Sequence, residues 1–349
     1  MPEFVWGGAE TQFRYLVTYA ESHRWNMDVI IEHRFKKEDV LLKKTRQKAK
    51  YINFYELDAG TGSGKVLQGV IRHILKSVLK KKYTICLINY LEDLVIAPYL
   101  RMLGIQVVYS ERIDAAAIVE SKEYQKCLSF CNCILANSEY GQRALEQLTG
   151  RKVGLIRNGK PVVPMLPGKE DRRISRILVP ARIAPDKNQM LMLQFLKQYP
   201  EFDGKIVFAG VTGHRSYLGK LRQFVRKYRL NDKVEFLGHV EELQEEYQKA
   251  DLVILPSFSE GTPNVILEAY AYGRPVIVSD IGPMEDIVSD VRLRFGVKNP
   301  DEIRACMQYV ERMSVEDYQR LLKENRAYVM KNYRIEKMAE GFAKILRIC

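Results

Sequence analysis

Histidine, tryptophan and cysteine are scarce in this chain: five, two and six residues among 349. Six cysteines are too few to staple a chain of this length. Cys86, Cys127, Cys131, Cys133, Cys306 and Cys349 include no C-x2-C pair, and no histidine cluster accompanies them. Neither a disulfide scaffold nor a zinc site is expected, and Cys86, inside the apolar run TICLIN, reads as a buried reduced thiol. No apolar run reaches the ~18 residues that cross a bilayer, which excludes an integral membrane helix. The first residues, MPEFVWGGAE, have no basic region followed by an apolar one. No signal peptide is expected, and with reduced cysteines this points to the cytoplasm. Basic stretches interleaved with aromatics are missing too, which argues against nucleic acid as a partner.

What is present is ordinary globular material, 46% hydrophobic and 28% charged. The length suggests about two domains. The net charge of +12 is unevenly spread: 25 Lys and Arg stand against 17 Asp and Glu up to Met165, and 30 against 26 beyond it. Such an excess favours anionic partners, or simply keeps the chain soluble. The segments Lys43–Lys50 (KKTRQKAK) and Lys76–Lys82 (KSVLKKK) would lie on anionic lipid or form solvated helix faces.

Short β-branched runs alternate with amphipathic stretches. Strands are expected at Asp28–His33, Tyr51–Leu57, Thr84–Asn89, Gln106–Glu111 and Cys133–Ser138, then at Arg176–Ala181, Lys205–Gly210, Lys233–Gly238, Asp251–Ser257 and Pro275–Asp280. Helices are expected at Val66–Leu79, Ala115–Phe130, Gln189–Gln198, Tyr217–Tyr228, Glu241–Lys249, Pro263–Tyr272 and Val315–Leu346. This alternation predicts an α/β fold with parallel sheets covered on both faces. Lys160–Lys169, with three prolines and a glycine, reads as a linker. The expected organisation is two Rossmann-like domains, 1–165 and 166–332, facing each other across a cleft. A C-terminal helix, 333–349, would cross back to the first. Ligands of open α/β sheets bind beyond the carboxyl ends of the strands, so the loops there hold the candidate residues.

Asp251–Asp280 reads as strand, loop, helix, turn, strand, with Pro263 suited to the first helical turn. A helix start presents N–H groups and a positive dipole end to anions. Glu260 lies in the loop and Glu268 eight positions on, within the helix. Carboxylates accept hydrogen bonds from the vicinal hydroxyls of sugars; the plainer alternative is a capping Glu260 and a surface Glu268. After the first strand of the same half, Arg182 and Lys187 could neutralise a diphosphate, or be two solvated cations. Ala59–Val66 (AGTGSGKV) imitates a phosphate-binding loop, but Val66 stands where Ser or Thr would bind Mg²⁺.

Arg182, Lys187 and the E-x7-E spacing of Glu260 and Glu268 together resemble the retaining GT-B glycosyltransferases of family 4, the glycosyl transferases group 1, of bacterial polysaccharide type. Gly238, Pro256–Ser257 and Gly273–Pro275 match the flanking text of that family. The resemblance implies that Arg182 and Lys187 hold the diphosphate of a nucleotide diphospho-sugar. Glu260 would contact the donor sugar and Glu268 the nucleotide ribose. Backbone near Pro263, Asn264 and Val265 would meet phosphate and sugar. More weakly, Gly7–Gly8–Ala9–Glu10 resembles the family's N-terminal glycine loop, which approaches donor phosphate and acceptor, making Gly7 and Gly8 donor-binding candidates. Ser110–Glu111–Arg112 after a strand resembles a variant in the family's bacterial polysaccharide transferases, making Glu111 and Arg112 acceptor-side candidates; Glu92 and Asp93 are either further acceptor-side groups or, more simply, solvated surface acids. Asn137–Ser138 and Asn158–Gly159 also match strand ends of the family.

The resemblance further implies a glycan or lipid-linked acceptor, retention of configuration, and an enzyme at the inner face of a membrane, needing no cofactor. No D-x-D triad occurs, which agrees with leaving-group stabilisation that uses no metal. Two departures stand out. Met1–Trp6 is too short for the strand that normally precedes the glycine loop, so the first strand is expected to be missing. No histidine follows Thr84–Asn89, where Asn89–Asp93 (NYLED) stands instead. Competing expectations are a sugar-nucleotide epimerase, a sugar-nucleotide-binding protein without catalysis and, less favoured, a P-loop NTPase.

Overall fold

A computed structural model describes residues 8–33, 49–50, 53–58, 84–112, 116–166 and 172–348. Met1–Trp6, Gly7, the glycine-rich 59–66 stretch and the basic segments 43–48 and 76–82 lie outside the described residues, as does the helix expected at Val66–Leu79. The chain divides into two compact units. One comprises Met1–Gly159 with Ile335–Cys349, the other Lys160–Arg334.

In the first unit, β1 (Asp28–His33) and β2 (Asn53–Asp58) pair in parallel. A second parallel sheet runs β3 (Ile85–Ile88), β4 (Gln106–Ser110), β5 (Cys133–Ala136) and β6 (Gly154–Leu155), in that spatial order. Alternation along these strands divides the core. Val107 and Ile134 face a cluster with Leu94, Leu100, Leu128 and Leu145. Their neighbours Val108 and Leu135 face Leu16, Ile156, Met338 and Phe342. The helices Gly8–Ser22 and Ile335–Ile348 supply that second face, so the sheet is apolar on both sides, as parallel sheets require. The stretch expected as one helix over Ala115–Phe130 is two, Ala116–Val119 and Lys122–Leu128. Ser121 breaks it by adopting extended backbone and accepting the Tyr124 N–H on its hydroxyl.

The second unit contains β7 (Arg176–Pro180), β8 (Lys205–Ala209), β9 (Val234–Gly238), β10 (Leu252–Leu255), β11 (Val276–Ser279) and β12 (Arg294–Phe295). They form one parallel sheet in the order β12-β11-β10-β7-β8-β9. The chain winds outward from β7 to β9, then returns to place β10 on the other side of β7. The carboxyl ends of β7 and β10 therefore flank a topological switch point. Residues 163 and 166 pack onto this unit: Arg326 Nη2 donates to Val163 O at 2.7 Å, and Leu166 N to Tyr272 O at 3.1 Å.

The helix expected over Val315–Leu346 is also two, Val315–Asn332 and Ile335–Ile348. A two-residue break at Tyr333–Arg334 separates them, where Lys160 N donates to Tyr333 O at 2.5 Å and the Lys160 backbone pairs with Arg334 in an isolated β-bridge. The first of the two buries Leu322 and Val329 in the core of the second unit, and the second belongs to the first unit. Among the described residues no helix is long and apolar enough to cross a membrane.

Candidate active site

The loop after β7 is pinned on both sides. Ile183 N donates to Val211 O at 2.9 Å, drawing it beside the loop after β8. Gln189 Nε2 donates to Arg182 O at 2.8 Å. The Arg182 side chain lies across Gly213, where a Cβ would come 2.6 Å from Arg182 Cδ. Glycine there leaves room for the arginine stem. The guanidinium is more than half exposed, with Nη2 3.7 Å from Asp186 Oδ2. A tight turn, Pro185–Lys187, then leads into the helix Gln189–Gln198.

That turn carries Lys187 inward. Its Nζ lies 2.8 Å from Glu260 Oε1 and 3.3 Å from Asp186 Oδ2. Ser257 Oγ donates to the same Glu260 oxygen at 2.7 Å. Phe258 N donates to Asp186 O at 2.8 Å, and Ser279 Oγ, at the end of β11, donates to Ser257 O at 2.6 Å. The loops after β7, β10 and β11 are thus bonded to one another. Lys187, expected from the sequence, meets Glu260, also expected, and Arg182 stands beside them through Asp186. Both side chains of the Lys187–Glu260 pair are mostly buried, so its attraction is screened less than that of a surface pair.

The helix that follows is Asn264–Ala271. Pro263 is its N-cap in extended backbone, φ −73° and ψ 107°, rather than a residue of its first turn. Proline has no N–H, so N–H groups at this helix start come from Asn264 and Val265 and not from Pro263. The Pro263 carbonyl accepts from Ile266 N at 3.1 Å. Ile266, Leu267, Ala269 and Tyr270 are buried, and Glu268 lies among them on the helix.

Glu268 is not a solvated surface residue. Its Oε1 lies 2.6 Å from Nζ of Lys160, a side chain only 1% exposed. Its Oε2 accepts from Tyr247 OH at 3.2 Å, and that hydroxyl is also 3.0 Å from Val265 O. Burial, and next the Glu268 charge, push the Tyr247 phenol well above its ordinary range, so it stays protonated as a donor. Sequence reasoning missed Lys160, Tyr247 and Asp186. Lys160 sits in a proline-rich stretch read as linker, and nothing local marks a lysine there as buried.

The first-unit candidates are held by neighbours of their own. Gly8 is the first residue of its helix, and Gly7 lies outside the described residues. Glu111 is buried immediately after β4. Arg112 Nη1 donates to Asn158 Oδ1 at 2.9 Å, and its guanidinium lies 5.1 Å from the centre of the Phe342 ring. Burial pulls Arg112 down to about 10, against the opposing pull of Glu111. Ser138 caps the helix Glu139–Thr149 by accepting the Gly141 N–H at 3.0 Å, and Gly159 N donates to Gln12 Oε1 at 2.6 Å. Glu92 and Asp93 open the turn Glu92–Ile96, and neighbouring Tyr90 donates to Glu10 at 2.8 Å. Among the described residues no group of three or more His, Cys, Asp or Glu is placed to hold a metal ion. Burial pushes the Cys86 and Cys131 thiols up to about 12, which keeps them protonated and unreactive.

Residues 169–328 match the family described as Glycosyl transferases group 1. The chain is 37% identical over 115 residues to an exopolysaccharide phosphotransferase of Streptomyces coelicolor, covering 32% of this chain and 12% of that protein. It is 28% identical over 159 residues to the lipopolysaccharide core biosynthesis mannosyltransferase LpsB of Rhizobium meliloti, covering 44% of this chain and 45% of that one. In both, less than half of the relative's length is spanned. Among solved structures, Anabaena HepE in complex with UDP and glucose superposes with a TM-score of 0.82 at 17% identity, over 99% of this chain and 98% of that one. The fold is GT-B.

Proposed function

We propose that the chain is a retaining, hexosyltransferase-type glycosyltransferase of family 4. It would move a sugar from a nucleotide diphospho-sugar to a glycan or lipid-linked acceptor in cell-surface polysaccharide synthesis. The observation that carries this reading is the bonding of the β7 and β10 loops at the sheet's switch point, with Lys187 on Glu260 and Arg182 alongside. The group 1 domain match and the mannosyltransferase relative support the reaction class. The UDP in the HepE structure supports a nucleotide donor.

The chemistry follows from charge. As the glycosidic bond breaks, negative charge builds on the β-phosphate and the anomeric carbon becomes oxocarbenium-like. Arg182, Lys187 and the helix start at Asn264 and Val265 would stabilise that leaving group, and such preorganised charge is usually the largest catalytic contribution. Glu260 would position the donor sugar and Glu268 the ribose. Gly7 and Gly8 would approach the donor phosphate, and Glu111 and Arg112 would serve the acceptor side. No divalent ion is required. The enzyme works in the cytoplasm, at the inner face of the membrane, where the basic N-terminal half meets anionic lipid.

Thermal-shift screening against UDP-, GDP-, ADP- and dTDP-sugars tests the donor first. Stabilisation by one donor class, followed by EDTA-insensitive transfer to a lipid-linked glycan with α-configured product by NMR, is the expected result. No shift with any donor would sink the reading. Binding without transfer to any acceptor would leave a sugar-nucleotide-binding protein, and sugar isomerisation without an acceptor would mark an epimerase.

A further inference from the structure

Glu268 differs from the other charged residues of the site in how it is held. One oxygen faces a buried ammonium and the other a buried phenol, so the carboxylate is gripped from its inner side. Its own side chain remains 30% exposed, so an outer side is open to a ligand. Each carboxylate oxygen has two lone-pair positions, and one on each is already used. One position on each oxygen is left over, enough to accept the two hydroxyls of a vicinal diol.

The grip also has an anchor. Lys160 N donates to Tyr333 O at 2.5 Å, and Lys160 bridges Arg334 within the same unit, so the backbone beneath the ammonium is fixed. Tyr247 is fully buried, and its ring stacks on Tyr272 with centroids 5.3 Å apart. A buried ammonium without a partner is costly, so Lys160 and Glu268 constrain each other.

We propose that Lys160 and Tyr247 are positioning residues that fix the Glu268 carboxylate to accept the 2′ and 3′ hydroxyls of the donor nucleotide. The pair would thereby make the site select ribonucleoside over 2′-deoxyribonucleoside diphosphates. This rests on the assignment of Glu268 to the ribose. A freely rotating carboxylate would lose rotamer freedom on binding, whereas one held in place accepts both hydroxyls without that cost.

The test is calorimetric titration of the full chain with UDP, GDP and their 2′-deoxy counterparts. Wild type is expected to bind the ribo form of its nucleotide about tenfold more tightly, the effect of one lost hydrogen bond to a charged group. Glu268→Ala should bring that ratio close to one. Lys160→Met, which keeps the length and apolar stem, should cut the ratio at least threefold while changing deoxynucleotide affinity less than twofold. Tyr247→Phe should do the same to a smaller degree, and decides the matter if Lys160→Met does not fold. In transfer assays both should raise KM for the donor and leave kcat nearly unchanged.

A full ratio in Lys160→Met or Tyr247→Phe, with Glu268→Ala losing it, would overturn the positioning role and leave the ribose assignment standing. Equal weakening of both nucleotide forms would make the two residues structural props and also overturn the proposal. Loss of discrimination by no variant, or none in wild type, would remove the ribose assignment itself. Failure of wild type to bind either nucleotide would remove the donor reading.

Discussion

At the residue scale, the candidate site is electrically balanced before any donor arrives. Arg182 and Lys187 are matched by Asp186 and Glu260, with contacts of 3.7, 3.3 and 2.8 Å among them. A diphosphate must therefore compete with two carboxylates for two cations. Lys187 is the more committed of the two, being mostly buried against Glu260, whereas Arg182 is more than half exposed and lies farther from its carboxylate. Removing either cation should cost the leaving group its stabilisation, about 10²–10³ in kcat, as for other preorganised charge-stabilising donors. Single-turnover transfer assays of Arg182→Ala and Lys187→Ala check this, and near-normal rates in both would reject the mechanism. Asp186 makes the opposite prediction. It is partly exposed, so its pairs are weak, and Asp186→Asn should tighten binding of UDP or GDP by a few-fold at low salt. The gain should vanish as salt rises, because screening removes the same attraction. Titrations at two ionic strengths would show it.

At the scale of elements, the helix Asn264–Ala271 sets where Glu268 points, and it is bounded by two special residues. Pro263 precedes it, and Gly273 follows at φ +71°. At Gly273 the backbone is left-handed and a Cβ would lie 2.7 Å from Met165 Cε. An L-residue there costs roughly 1–2 kcal/mol from backbone conformation alone. Gly273→Ala should lower the urea-unfolding free energy by at least about that amount, and Met165→Ala in the same chain should recover only the steric part. Full stability in Gly273→Ala would show that the turn relaxes.

The same elements show what could be read from sequence. The long β-branched strands and Gln189–Gln198 were legible because their hydrophobic patterns are strong, and their ends fall within a residue or two of the observed ones. The two-residue strands β6 and β12 carry no pattern and are defined only by their partners. The break at Tyr333–Arg334 has no proline or glycine; a backbone bridge to Lys160, distant in sequence, makes it. That Lys187 and Glu260 belong to one site was legible, because each lies in a loop after a strand, but their direct ion pair was not. The burial of Lys160 under Glu268 was not, because it depends on a contact between residues 108 positions apart.

At the scale of the whole sheet of the second unit, chemistry and stability occupy opposite ends. Arg182, Lys187 and Glu260 follow the carboxyl ends of β7 and β10. The amino ends carry a separate ionic network. Arg176, the first residue of β7, donates to Glu246 at 2.8 Å and contacts Glu235 on β9 at 3.4 Å. Asp251, just before β10, accepts from the Ser175 and Arg176 N–H groups at 3.0 and 2.8 Å. A five-residue strand places the two ends about 15 Å apart. Burial raises the Glu246 carboxyl, but hydrogen bonds from Lys249 and Arg176 outweigh it and hold the group below its ordinary 4.5. The unfolded chain therefore takes up this proton first. The stability Glu246 contributes is fully present above pH 4.5 and is lost as pH falls through its lower folded value. Glu246→Gln should accordingly be about 1–3 kcal/mol less stable at pH 7, the scale of a hydrogen bond to a charged group. The deficit should shrink toward zero as pH drops below 4.5, so urea melts of variant and wild type should converge in acid. Transfer activity at pH 7 should stay within twofold of wild type, because nothing at the carboxyl ends has changed. A deficit that persists undiminished at low pH would mean that Glu246 acts through packing rather than through its charge.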